Sequence, residues 1–158
     1  MDTISKHISF KEATNSYTAK KEGIDNIPNY NQLECMKLLA FNVFEPIRNY
    51  FNVPIYIASF FRSEKLNDKI KGAIGSQHTK GEAMDLDADR YGKITNKQIF
   101  DYIKDNLEFD QLIWEYGDTN NPSWVHVSYK NKNNRKEILK AIKVNGKTKY
   151  IRYEENNS

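Results

Sequence analysis

A chain of 158 residues fits one domain around one hydrophobic core, residues 1–158, and leaves little room for a second. Its 24 basic and 21 acidic residues give a net charge of only +3, with lysines scattered except for a concentration from Lys130 to Lys149, so composition alone does not make a nucleic-acid binder. The start, MDTISKHISF, has no apolar h-region and no stretch approaches the ~20 apolar residues of a membrane span; the expectation is a soluble chain without a secretory signal and without membrane insertion.

Residues 1–30 read as an irregular arm, with a short helical possibility after Ser9 and a loop punctuated by Gly23, Asn26 and Pro28. From Asn31 to about Phe51, apolar residues recur at three- and four-residue steps, among them Leu33, Met36, Leu39, Val43, Phe44 and Ile47. That spacing predicts a helix, which Pro46 kinks or whose last turn it begins. Cys35, the single cysteine, lies in this stretch and is expected to be a buried thiol; it excludes an intramolecular disulfide and a cysteine-only zinc site. Any metal must therefore be held by nitrogen and oxygen.

VPIYIASFF, residues 53–61, is β-branched and aromatic and predicts a strand leading to Arg62. Ser63 caps a short helix through about Ile70, and the loop KGAIGS leads to His78. Gly81 lets the chain turn into a second strand, Ala83–Ala88, whose period of two sends Met84, Leu86 and Ala88 inward and Asp85 and Asp87 to the other face. Thr95 and Gln98 form a capping-box pattern for a helix to about Asn106. QLIWEY and SWVHVSY flank the turn-rich GDTNNP as a hairpin, with Trp124, His126 and Ser128 on one face and Glu115 able to share it. Asn145-Gly146 marks a closing hairpin, and residues 154–158 read as a frayed tail.

Chemistry concentrates in SQHTKGEAMDLDAD, residues 76–89. A carboxylate costs several kcal/mol to bury unpaired, so acids on a mostly apolar strand must face water, a cation or a substrate. His78, Asp85 and His126 make a two-histidine, one-carboxylate set that suits a catalytic zinc with an open fourth position. The bland alternative is satisfied or exposed histidines and solvated acids. His7, near the start and without a partner at informative spacing, reads as a surface residue. Trp114, Tyr116, Trp124 and Tyr129 read as core and edge packing ahead of a substrate groove, and the lysine-rich ribbon as a solvated face.

Ser76, His78, Gly81, Ala83 and Asp85 match the pattern S-x-H-x-x-G-x-A-x-D, and SFFRS with Asn67, FDQLIWEYG and WVHVSY add to it. In this combination the chain resembles the zinc D-alanyl-D-alanine carboxypeptidase-like family, which includes peptidoglycan L-alanyl-D-glutamate endopeptidases of phage endolysins, from about His7 to Tyr129. The resemblance implies one zinc ion per chain on His78, Asp85 and His126, with Arg62 binding a substrate carboxylate or a developing oxyanion and Ser76 contacting the peptide or supporting the ligands. It also implies the fold of D-Ala-D-Ala peptidases and hedgehog-like domains. One departure stands out: many members carry an acidic general base three residues before the second histidine, where this chain has Ser123. Glu115 takes that role in our reading, with Asp87 and Asp118 as alternatives.

The expectation is an α+β domain, a small and mainly antiparallel sheet flanked by helices, acting as a monomeric zinc metallopeptidase on peptidoglycan stem peptides. Synthesis in the cytoplasm and release to the cell wall through a phage holin would fit the lack of a signal. The rival is a catalytically inactive wall-binding module or virion component of the same fold, for which Ser123 is the best support. A nucleic-acid partner is not expected.

Overall fold

The computed structural model describes residues 2–155, which form an α+β domain. The sheet has six strands in the order β3-β4-β6-β5-β7-β8: β3 Tyr56–Ser59, β4 Ala83–Asp87, β5 Gln111–Glu115, β6 Trp124–Ser128, β7 Glu137–Val144 and β8 Lys147–Arg152. Every neighbouring pair is antiparallel except β5 with β7. Alternation gives the sheet two unlike faces. Met84, Leu86, Leu112, Trp114, Val125 and Val127 are buried on one, while Asp85, His126 and Glu115 stand on the other.

The apolar face is covered by helices, and the longest changes its winding at the centre. Asn29 opens α3, Tyr30–Leu39, in a capping box with Gln32, and the chain runs through a π-helical turn, Ala40–Phe44, into α4, Glu45–Phe51. The wider turn accommodates Pro46, which lacks an N–H and crowds the carbonyl four residues back, so the helix continues rather than ending there. Met36, Leu39, Val43, Phe44 and Ile47 join α6, Asn96–Asn106, in the core through its Ile99, Phe100 and Ile103. Thr95 and Gln98 cap α6 as the sequence predicts.

The first thirty residues are more ordered than expected. Strands β1, Thr3–Ser5, and β2, Ile8–Ser9, pair, and α1, Phe10–Ala13, and α2, Tyr17–Glu22, follow, each capped by a serine side chain. The helical turn after Ser9 is the one the sequence suggests; the other elements, of two to six residues, are too short to display a hydrophobic period. His7 is a correction of the same kind: its Nδ1 lies 2.6 Å from Glu45 Oε2 and its amide donates to Glu45 Oε1, pinning the arm to α4. Cys35 is half-buried rather than buried.

Some element ends also shift. The strand expected over residues 53–61 is only four residues long, because Phe60 and Phe61 leave the sheet after a bulge and insert into the core. Ser63 caps α5, Glu64–Lys69, as expected. Glu155, expected to fray, ion-pairs with Lys104, while Tyr153 packs on Phe100 and Trp114; the remaining tail residues, 156–158, lie outside the described residues.

Gly81 is where the helical layer meets the site. Its φ is +75°, and a Cβ there would lie 2.4 Å from the Gln32 carbonyl oxygen, whereas Gly23, at φ +65°, has open space around it. Gly81→Ala is therefore expected to cost about 2–4 kcal/mol, from left-handed strain plus overlap, against about 1 kcal/mol for Gly23→Ala. Urea midpoints of the two variants at an unchanged m-value check this; equal losses would remove the packing argument.

Candidate active site

Asp85 reaches the open face because the strand period that buries Met84 and Leu86 turns it the other way. Its register partner on β6 is His126, whose Nδ1 lies 3.0 Å from Asp85 Oδ1. His78 comes from the 3-10 turn Gln77–Lys80, which Ser76 caps by accepting from the His78 amide at 3.3 Å. His78 Nε2 sits 3.3 Å from Asp85 Oδ2. The ligand atoms of the three side chains all lie within 4.8 Å of one another, and among the described residues they are the cluster placed to hold a metal ion.

Electrostatics prepares the same atoms. The Phe60 carbonyl, 2.7 Å from His78 Nδ1, accepts a hydrogen bond from it and so aims Nε2 at the cluster. Burial pushes the His78 ring below its ordinary value, although Asp85 beside it favours the protonated form. Burial also works against the charge of Asp85, yet the His78 and His126 nitrogens aimed at it prevail and hold its carboxyl well below the usual range. Two imidazole nitrogens and an ionised, 8 % exposed carboxylate are a donor set that fits zinc, and a buried charge of that kind is costly without a cation beside it.

Arg62 is carried in by the residues that leave β3. Its amide donates to the His78 carbonyl, and its guanidinium reaches Ser59 Oγ at 3.1 Å, Asn67 Oδ1 at 3.4 Å and Asp85 Oδ2 at 3.4 Å. The N-terminal arm braces this segment: the Asn26 side chain donates to the Thr14 and Phe61 carbonyls and accepts from the Ser63 amide. Sequence reasoning placed Asn26 in a loop and missed that role, which depends on contacts 35 and 37 residues away. Asp110 was missed as well. Fully buried, it accepts from Arg135 at 2.8 and 3.0 Å and from Gln77 at 3.1 Å, tying the loop before β7 to the turn that carries His78.

The three acids considered as a proton acceptor fare differently. Glu115, at the end of β5, is 6 % exposed and lines the same cleft as the cluster, a cavity of about 740 Å³. Burial pushes its carboxyl up to about 7; His126 and Arg62 pull it down and Asp85 pushes it up further. Asp87 instead accepts from Asn96 Nδ2 at 3.0 Å, and Asp118 caps the turn amides of Asn120 and Asn121. Neither lines the cleft. Of the four aromatics expected to be packing, Trp114 is core and Tyr129 packs against it, but Tyr116 and Trp124 line the cleft with rings 5.4 Å apart. They stand on the polar face because Trp124 pairs with Glu115 across the hairpin, and Tyr116 at φ +56° turns the chain out of β5.

The family model for Peptidase M15 matches residues 6–128. The chain belongs to the Peptidase M15 family. Among curated proteins, no relative matches it. M15 peptidases are zinc-dependent, and membership supports a metallopeptidase acting on a peptidoglycan-type substrate. The M15 match ends at the last residue of β6, so β7 and β8 lie beyond it.

A raised Glu115 pKa has a stability consequence in this M15 domain. Its folded-state value of about 7 exceeds the ordinary 4.5, so the fold disfavours the ionised form, and stability present below pH ~4.5 is lost as pH rises through ~7. Glu115→Gln removes that ionisation. In metal-depleted protein it is expected to raise stability by roughly 1–3 kcal/mol at pH 8 relative to its effect at pH 4. Thermal midpoints across that range check it, and a pH-independent effect would contradict the burial argument.

Proposed function

We propose that the protein hydrolyses amide bonds in peptidoglycan stem peptides, as a carboxypeptidase or an endopeptidase, with His78, Asp85 and His126 as zinc ligands. The observation that carries the reading is the convergence of those three side chains in a cleft that also holds Arg62 and the buried Glu115. A bound zinc would supply Lewis acidity toward water and toward an amide carbonyl.

The remaining work falls to the chain's own groups. Glu115, with a carboxyl near 7, is suited both to take a proton from an attacking water and to return it to the departing amine nitrogen. Arg62 is held by Ser59, Asn67 and Asp85 before substrate arrives, so its charge meets an oxygen that becomes negative only as the carbonyl turns tetrahedral. Ser76 shapes the turn beneath His78 and lines the cleft, where it is placed to meet the peptide backbone. The place three residues before His126, occupied by Ser123, needs no acid on this reading, because Glu115 pairs with Trp124 one strand away.

A phage-type lysis role on the bacterial wall is part of the proposal and is supported by the motifs around His78, Arg62 and His126. Among the described residues no helix is long and apolar enough to cross a membrane.

Incubation of the zinc-loaded protein with defined stem peptides, with and without a chelator, is expected to release new termini only without it, and mass spectrometry of the products assigns the bond. Glu115→Gln is expected to lower kcat about 10²–10⁴-fold and Arg62→Ala about 10²–10³-fold, each with zinc still bound. Full activity in Glu115→Gln would take that residue out of the mechanism. Cell-wall binding without any cleavage would favour the inactive-module reading.

A further inference from the structure

The ribbon that follows the M15 match does more than extend the sheet. Register places Trp124, Glu115, Ala141 and Tyr150 in one row across β6, β5, β7 and β8. Ala141, fully buried, is the small floor between Glu115 and Tyr150, two strands or about 10 Å apart. In the next row Ile113 pairs with Leu139 on one side and with His126 on the other, so an aliphatic floor adjoins the ligand cluster. Tyr116 and Trp124 form one wall, and the Tyr116 hydroxyl, 2.5 Å from Thr148 Oγ1, fastens that wall to the ribbon. Tyr150 lines the cleft yet is 54 % exposed, a large ring with one side open to whatever enters. Burial, followed by Glu115 and Tyr116, pushes its phenol above the ordinary value, so the hydroxyl is uncharged near neutral pH.

We propose that the β7–β8 ribbon is a substrate-binding wall of the cleft and that Tyr150 sets which peptides fit, by packing its ring against an uncharged, apolar residue beside the scissile bond. The inference rests on the peptidase reading above. An aliphatic floor with an aromatic side loses solvent favourably against a small apolar side chain, whereas a charged one would be stripped of water with no partner from Ile113, Leu139 or Ala141. Tyr150 on this account acts in binding and selection, not in proton transfer.

The test compares Tyr150→Ala and Tyr150→Phe with the unaltered protein, using stem peptides that differ by alanine or glutamate beside the cleaved bond. Zinc content and thermal midpoint are measured alongside. Tyr150→Ala is expected to raise KM for the alanine peptide about tenfold with kcat within about twofold, and to shrink the preference over the glutamate peptide. Tyr150→Phe, which keeps the ring, should stay close to the unaltered protein. Calorimetric titration of uncut peptide into metal-depleted protein gives a readout free of chemistry, with the same roughly tenfold loss expected for Tyr150→Ala. Unchanged KM, affinity and preference in Tyr150→Ala would overturn the proposal, as would a loss explained by lower stability or zinc content. Protein that binds the peptide but never cuts it would overturn the peptidase reading, and the affinity comparison would then decide Tyr150 alone. No binding and no cutting would overturn both.

Discussion

The Asp85 carboxylate is the constraint on which the site depends. An ionised group at 8 % exposure, in the middle of a strand whose neighbours are fully buried, is tolerated only because both of its oxygens have partners. Those partners arrive by different routes. His126 comes with the β4–β6 register, which fixes it directly opposite, while His78 comes with a turn held by Ser76, Gly81 and the Phe60 carbonyl. A one-residue slip of β6 would send His126 to the helical face and bring Val125 or Val127 to the carboxylate. The hydrophobic core thus enforces the polar site: burying Val125 and Val127 is what aims His126.

Support radiates from that point in two directions. On one side Arg62 contacts Asp85 and is itself held by Ser59 and Asn67, whose amide occupies space that only Gly72 leaves free, since a Cβ there would lie 2.0 Å from Asn67 Oδ1. Asn26 anchors the same segment to the N-terminal arm. On the other side Asp110 fastens Gln77, the neighbour of His78, to Arg135. Among the described residues no buried side-chain nitrogen or oxygen lacks a hydrogen-bond partner, as a low-dielectric interior demands. The outcome is ligand side chains positioned by residues far away in the chain.

What the sequence made legible follows from the range of the physics. Strand alternation in AMDLD and WVHVS is local, so the faces of Asp85 and His126 could be read directly, as could the Thr95–Gln98 capping box and the Asn145-Gly146 turn. The π-helical turn before Pro46 and the two-residue strand at Ile8 were not legible: the first is a compromise between a proline and a core-facing helix, the second is shorter than any period. Asn26, Asp110 and the Phe60 carbonyl act through partners distant in sequence, and a carbonyl carries no residue identity at all. Tyr116 and Trp124 were misassigned because a large aromatic looks the same in a pattern whether it fills a core or walls a cleft.

The parallel pairing of β7 with β5 was also invisible, and it closes the sheet beside Glu115. Without β7, β5 would be an edge strand with one side of its backbone open to water. Ala141 lies beside Glu115 instead, and its carbonyl accepts from the Tyr116 amide at 3.0 Å, closing the edge. Burial is the largest influence on the Glu115 carboxyl and lifts it to about 7, the range in which one group can both accept and return a proton near neutrality. A ribbon beyond the M15 match thus covers the edge beside this acid and places Tyr150 two strands away in the same row. In this chain the two effects are inseparable, because the strand that covers the edge is the strand that carries the wall.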